Sequence, residues 1–470
     1  LRERAEESLG GALAEAVISI GALAVPGLFA GAQKVLLSLG EADSISYLGL
    51  SAVMMAAAIL PWCVCMGATF PFMMAHLNET DDAADKSFSL LYCANVFGAM
   101  AGTLVTGFLL LEALGFHRTL WVAGLLNALA AVIAWALPAR PSSQAASQAP
   151  GPTALPSPSR PSADLVLFVT GFTSLAMEVV WTRQFTAVLG THVYAFSILL
   201  FTYLAATWAG SFFYRRALAG GRPWSQEPLL ALLAAASLLP VVLNDPRFAV
   251  LREARALGSI LPFCVLLGYL TPAVIDGAAG GDPVRAGRAY ALNILGCILG
   301  PLAASYLLLP YLGARLSLVA LALPYAALAL VAARGIPGWA RPTAACAVGA
   351  LALAATFVNT SYEEPRLAAV VRRDHTATVV AAGTGMGKQL YVNGVAITGL
   401  GPVTKFMAHL PLAFHQGKPL GSLVICFGMG TTYRSLLSWG GQVTAVELVP
   451  SVRDLFGYFF ADAADAVNGQ

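Results

Sequence analysis

Three residues near the C-terminal end have the types and spacing of a nucleoside site: Gly428, Gly430 and Glu447. They lie in LVICFGMGTTYRSLLSWGGQVTAVELV, Leu423–Val449. The pattern predicts a buried strand over Leu423–Phe427, a glycine turn, a helix over Thr431–Trp439 and a second strand over Val443–Leu448. Glycines at the turn let the backbone bend sharply and approach a ligand where a Cβ would clash. An acid at the tip of the second strand, roughly twenty residues on, can accept hydrogen bonds from ribose hydroxyls. The third glycine of the dinucleotide fingerprint is replaced, since Thr431, Thr432 and Tyr433 follow Gly430. No arginine follows where an extra ribose phosphate would need one. This favours a nucleoside-sulfonium ligand of the S-adenosylmethionine type over NAD.

A second set of candidates lies in apolar sequence. Glu178 and Arg183 occur in GFTSLAMEVVWTRQF, and ionisable groups at membrane depth are costly enough to need a partner or a cavity. Five residues apart, they do not stack on one helix face. Each therefore pairs elsewhere, or Arg183 snorkels to the interface, and Glu178 is a candidate for a ligand or proton role. Asn95 and Asn293 flank small residues (Gly98 and Gly102, Gly296 and Gly300), so interhelical hydrogen bonding competes with any functional role. The seven cysteines are scattered, mostly through apolar runs, and have neither metal-ligand nor disulfide spacing.

The elements that must carry these residues follow from composition. Of 470 residues, 58% are hydrophobic and 11% charged, against about 25% charged in soluble domains. The net charge of +2 argues against a nucleic-acid partner. Apolar segments of spanning length fall near 11–33, 46–75, 88–114, 118–138, 164–189, 192–214, 227–244, 256–275, 286–312, 315–333 and 342–358. The chain thus reads as a multi-pass integral membrane protein in contact with the lipid bilayer. An internal repeat organises it. Ile59–Gly67 with Pro71 matches Ile260–Gly268 with Pro272. Tyr92, Asn95, Gly98, Gly102 and Gly115 match Tyr290, Asn293, Gly296, Gly300 and Gly313 at an offset of about 198. The second copy has two further helices in front, whose partners in the first copy would precede Leu1. The unit is then six helices, and an even number makes the repeats parallel. Residues 1–138 hold the last four helices of repeat 1, and 139–163 form a Pro/Ser-rich linker. Residues 164–334 form repeat 2, and 335–359 are a short apolar segment, spanning or re-entrant. Arg215, Arg216 and Arg222 place their loop in the cytoplasm, whereas Arg247, Arg252 and Arg255 fall opposite.

Residues 360–419 read as a small β element. Strands are expected at Thr376–Ala381 and Gln389–Val392, with a turn at Gly383–Gly387 between them. Asn393-Gly394 is a two-residue hairpin signal leading into Val395–Ile397. A helix is expected from Val403 to His409, then a loop with Pro411 and Pro419. Residues 420–470 read as the first half of a Rossmann-like domain, with an amphipathic helix over Ser451–Ala466.

The order L-Y-V-N-G, M-A-H-L-P-L, V-I-C-F-G-M-G, A-V-E-L resembles the polyamine aminopropyltransferase (spermidine synthase) family. The stretches GFTSLAMEVVWTR, GATFP and LYCANVFGAMAGTLVTGFLLL, with the repeat copy around Tyr290–Leu309, resemble the helical region of membrane-bound spermidine synthase-like proteins. The resemblance covers nearly the whole chain, which looks truncated at both ends. It implies a donor, decarboxylated S-adenosylmethionine or S-adenosylmethionine, with Gly428 and Gly430 lining its site and Glu447 on its ribose. No metal is implied. His409 matches the family's histidine before the proline, and Asn393 stands where the family has an Asp, so both are substrate-side positions. Ile397 replaces the family's Gln, Met429 its glycine-loop Asp, and Gly401–Thr404 its acidic pair and tyrosine. Diamine specificity, as for putrescine, is thereby put in doubt, because ammonium groups call for carboxylates. The family's catalytic base, an Asp on a later strand, would lie beyond Gln470.

The expectation is a membrane-anchored aminopropyltransferase of the bacterial inner membrane with its soluble part in the cytoplasm. A small amine is its acceptor, and a homodimer is compatible with the reading. Two alternatives stand beside it: a transporter of polyamines or other small solutes with a synthase-like sensor, and a catalytically dead scaffold.

Overall fold

A computed structural model describes residues 2–38, 40, 44–80, 87–136, 161–190, 193–248, 250–332, 348–349, 352, 354–363, 369–417, 421–463 and 466. Among these, eight helices are long and apolar enough to cross a bilayer. The helical part comprises α1 (Arg2–Ser38), α2 (Ser44–Thr80), α3 (Ser87–Val105), α4 (Leu111–Ala136), α5 (Ala163–Leu189) and α6 (Val193–Ala219). It continues with α7 (Gln226–Ala236), α8 (Leu239–Leu243), α9 (Arg252–Ala279), α10 (Pro283–Ala303) and α11 (Leu309–Ala332). Large apolar side chains such as Leu125, Trp135 and Leu323 are exposed on them, as lipid contact requires.

The eight described stretches cover ten of the eleven expected segments. The expected pairs 88–114/118–138 and 286–312/315–333 fill the apolar stretches Phe88–Ala136 and Pro283–Ala332, within each of which two helices meet at a kink. Each contains one π-helical turn, Thr106–Leu110 or Ala304–Leu308, and a break at a glycine. Gly115 has φ 72°, ψ 172° and Gly313 has φ 70°, ψ 174°, conformations that a side chain would strain. A hydroxyl one turn later closes each break: Thr119 Oγ1 donates to Gly115 O at 2.8 Å and Ser317 Oγ to Gly313 O at 2.6 Å. The expected span 342–358 lies largely outside the described residues; within it, Ala354–Val358 forms a single π turn. The linker 139–163 is described only from residue 161.

The chain divides into two compact units. One is Leu1–Leu167, Leu200–Trp224 and Leu267–Leu292. In it α1 lies against α2 and α4. A Cβ on Gly21 would come within 2.6 Å of Trp62, and Ser19 Oγ donates to Gly124 O at 2.7 Å. Phe70 and Phe88 pack on each other and on Tyr290 with centroids 5.0–5.8 Å apart. Gly268 brings α9 onto the backbone of α6, where a Cβ would meet Thr207 O at 2.1 Å.

The other unit is Phe168–Leu199, Ser225–Leu266 and Asn293–Gln470. Its helical part is a backbone-to-backbone seam between α5 and α10. Added Cβ atoms would meet Asn293 O at 2.0 Å from Gly171, Phe168 O at 2.3 Å from Gly296 and Phe172 O at 2.1 Å from Gly300. Small residues allow this approach, which maximises dispersion contact where lipid supplies no hydrophobic drive. Asn293 Nδ2 donates to Thr170 Oγ1 across the seam at 3.3 Å.

The β elements of this unit are an antiparallel meander, β1 (Ala369–Arg373), β2 (Thr378–Ala382), β3 (Gln389–Val392) and β4 (Val395–Gly399), and a parallel pair, β5 (Gly421–Ile425) and β6 (Gln442–Val446). Asn393 (φ 49°) and Gly394 (φ 79°) make the β3–β4 turn, both left-handed as a two-residue hairpin of this kind needs. β1 was not expected. β2 starts later than Thr376 because the Asp374 carboxylate takes the N–H groups of Thr376 and Ala377, both at 2.8 Å. Helix α12 (Pro402–Phe414) runs through Pro411, which was expected in a loop. Helix α13 (Thr431–Leu437) joins β5 to β6.

The expected helix Ser451–Ala466 is broken into α14 (Pro450–Asp454) and α15 (Phe456–Phe459), with Phe460 extended at φ −132°, ψ 129°. Lys388 Nζ takes the carbonyls of Tyr458 at 2.6 Å and Phe459 at 3.3 Å, which a continuing helix would need for itself. The break also sends Phe459 into a core with Val379, Leu390 and Met429 and Phe456 into one with Phe427 and Tyr433.

Candidate functional site

The glycine turn is built as follows. Strand β5 ends at Cys426, whose backbone is left-handed (φ 71°) and whose N–H reaches Val446 O at 2.9 Å. Phe427 N–H then donates to Glu447 Oε2 at 2.8 Å, and Val449 N–H donates to Glu447 Oε1 at 3.0 Å. The carboxylate expected on a ribose thus lies at the turn, at the carboxyl ends of both parallel strands, held by two backbone N–H groups. The two glycines differ. Gly428 (φ 57°) has only Thr398 Cγ2 near the place of a Cβ, at 4.0 Å, so its face is open. At Gly430 (φ 79°) a Cβ would sit 2.3 Å from the Phe456 ring and 3.0 Å from Phe427, so this glycine is required by packing.

His409 is not brought to this turn. Its Nδ1 accepts from Trp439 Nε1 at 2.9 Å, beyond the far end of α13 from Gly430. Asn393 is elsewhere too. Its Oδ1 accepts Thr378 N–H at 2.9 Å and Arg183 Nε at 3.2 Å. The structure therefore joins a β-turn residue and a membrane-helix residue that the sequence offered separately.

Arg183 does not snorkel to solvent; its side chain is 7% exposed. Besides Asn393 it reaches Asp374 O through Nη2 at 3.1 Å, and Glu363 Oε1 lies 3.9 Å from its Nε. Glu363 is buried as well, and its Oε2 accepts Ala314 N–H at 3.1 Å. That N–H is released by the break at Gly313, so Glu363 caps the helix restarting there while facing Arg183. Asp374 extends the chain of contacts, its Oδ2 accepting Ser451 N–H at 3.1 Å. Burial pushes its carboxyl up, but the hydrogen bonds from Ser451, Ala377 and Thr376 outweigh this and hold it below the usual carboxylate range.

Between this network and the helices is a cavity of about 400 Å³ lined by Glu178, Thr182, Arg183, Thr186, His375 and Asn393, with Leu175, Phe196 and Leu309 among its apolar walls. The carboxylate of Glu178 is engaged by no hydrogen bond or ion pair among the described residues. His375 stacks on Tyr306, with centroids 5.5 Å apart.

The two asparagines part company. Asn293 serves the α5–α10 seam, whereas Asn95 is exposed on α3, and Cβ atoms on Gly98 and Gly102 would meet nothing within 4 Å. Glu363, Asp374, His375 and Asp245 escaped the sequence reading. Asp374 alone carried a signal, an acid two residues before Thr376 at a strand start. Asp245 is buried and accepts from Arg247 Nε at 2.9 Å and from Thr360 N and Oγ1 at 3.1 Å each. Among the described residues, no group of three or more His, Cys, Asp or Glu is placed to hold a metal ion. Comparison of the chain with protein-family models, with curated proteins and with solved structures finds no match.

Proposed function

We propose that this chain belongs to a membrane-anchored aminopropyltransferase of the spermidine synthase type. Residues from β5 onward form the opening of a Rossmann-like domain for decarboxylated S-adenosylmethionine or a related AdoMet-type donor. The observation that carries the reading is the parallel β5–α13–β6 unit with the Glu447 carboxylate 2.8 Å from the turn nitrogen beside the open face of Gly428. Each Glu447 oxygen has lone-pair capacity left after its backbone bond, enough to accept ribose hydroxyls. In the reaction a neutral amine attacks the aminopropyl carbon bound to sulfur. A C–N bond forms, the C–S bond breaks with its electron pair going to the sulfonium, and the amine proton passes to a base. The test is calorimetry with decarboxylated AdoMet and mass spectrometry with a panel of amines, on the full-length protein. Donor binding weakened about tenfold or more by Glu447→Ala is expected. Equal affinity in the variant removes Glu447 from the site.

Such a donor is a cytoplasmic metabolite, so in this reading the sheet faces the cytoplasm. A cysteine introduced at exposed Lys405 should escape a membrane-impermeant maleimide in intact cells and react after permeabilisation.

A second reading, solute movement with a synthase-like sensor, is favoured by one observation. The π turns, glycine breaks and closing hydroxyls of α3–α4 and α10–α11 recur at the spacing of the sequence repeat. We infer that these are copies of one unit in a parallel arrangement, as in proteins that alternate access between two halves.

A further inference from the structure

The cavity beside α5 asks for a ligand different from a nucleoside. Glu178, Thr182 and Thr186 follow each other at one-turn spacing, so they form a stripe along one face of α5. Thr182 Oγ1 donates its proton to Glu178 O at 2.8 Å, and Thr186 Oγ1 donates to Thr182 O at 2.7 Å. Both hydroxyls therefore offer the cavity only lone pairs. An ionised Glu178 is likewise acceptor-only. The stripe extends about 12 Å, from Thr186 near the hairpin to Glu178 deeper along the helix. Arg183 does not oppose a cation there, because its guanidinium is turned to Asn393 and Asp374 O and has Glu363 within 4 Å. Phe196 and Leu309 line the same space with carbon.

We infer that this cavity binds a small organic ammonium ion, its N–H groups on Glu178, Thr182 and Thr186 and its carbon chain against Phe196 and Leu309. A row of acceptors with no donor among them is satisfied by a polyvalent donor, and an apolar wall beside it selects a cation that carries alkyl surface over a hydrated inorganic ion. The inference is independent of the glycine-turn site.

The test uses the full-length protein in detergent, titrated with n-butylammonium chloride at fixed ionic strength and followed by calorimetry. Butylammonium is expected to bind and 1-butanol, its neutral isostere, not to. Glu178→Gln should weaken binding about tenfold or more, the scale of a lost charged hydrogen-bond partner. Thr182→Leu, at an exposed position on the same stripe, should block the cavity with Glu178 intact, and it stands in if Glu178→Gln fails to fold. Glu447→Ala should leave butylammonium affinity unchanged, which separates this site from the nucleoside site. No butylammonium binding, equal binding of 1-butanol, full competition by sodium or potassium, or unaltered affinity in Thr182→Leu would each overturn the inference.

Discussion

Arg183 Nε and Asn393 Oδ1 meet at 3.2 Å, although 210 residues separate them in the chain. The bond fastens the tip of a β-hairpin to a membrane helix. Asn393 is suited to it because its left-handed backbone leaves the side-chain oxygen free to accept Thr378 N–H on one side and the guanidinium on the other. With Glu363 and Asp374 it forms one polar network inside an otherwise apolar region. Such networks are costly to leave half-satisfied.

Arg183→Leu should therefore be among the most damaging single changes in the chain. It leaves Glu363 buried opposite no charge and removes donors from Asn393 and Asp374 O. The expected loss is about 3 kcal/mol, the scale for breaking a buried pair from one side. Arg183→Lys should recover little, because an ammonium cannot serve divergent partners as the guanidinium fork does. Thermal unfolding in detergent checks both.

Matching glycines of the sequence repeat should respond oppositely to substitution. Gly300→Val puts a side chain into the backbone of α5 and should cost about 1–3 kcal/mol or prevent folding. Gly102→Val meets nothing within 4 Å and should be close to neutral. Comparing extraction yield and melting temperature of the two variants decides it; equal damage from both would remove the asymmetry.

The two glycines of the turn should separate stability from binding. Gly430→Ala collides with Phe456 and should destabilise the 421–463 region strongly. Gly428→Ala carries only the left-handed backbone strain, about 1–2 kcal/mol, with no clash. Its larger effect should be on donor affinity, since its open face adjoins Glu447. Urea unfolding read beside donor calorimetry distinguishes them.

Acid should loosen the contacts of the soluble elements before the helices. Burial raises the Asp245 carboxyl, yet the hydrogen bonds from Arg247 and Thr360 hold it well below the ordinary value, and Asp374 is lowered in the same sense. A carboxyl depressed in the folded state contributes stability that is fully present above its unfolded value, about 3.9, and is lost as pH falls through the folded value. Unfolding followed by near-ultraviolet circular dichroism should show stability falling below about pH 4. Asp245→Asn should flatten that dependence while lowering the plateau. An unchanged slope would assign the acid sensitivity to other groups.

The apolar helices, the Asn393-Gly394 hairpin and the glycine turn with its acid are legible in the sequence. Each is a local pattern: a run of apolar residues, a pair able to take positive φ, a strand–glycine–helix succession. The boundaries at Gly115 and Gly313 were legible as gaps between apolar segments, but the sequence does not show the π turns before them or the hydroxyls that close them, because these depend on backbone dihedrals and side-chain contacts. The broken helix after Ser451 escaped it because Lys388, far away in sequence, takes the carbonyls a helix would use. Where Arg183 and Glu178 go depends on long-range contacts of the fold. Five residues apart on one helix, both read in the sequence as ionisable groups in an apolar run that need a partner or a cavity. One is buried against Asn393, Asp374 and Glu363, and the other is left facing a cavity. That difference comes from which long-range partners the fold brings within about 3 Å of each.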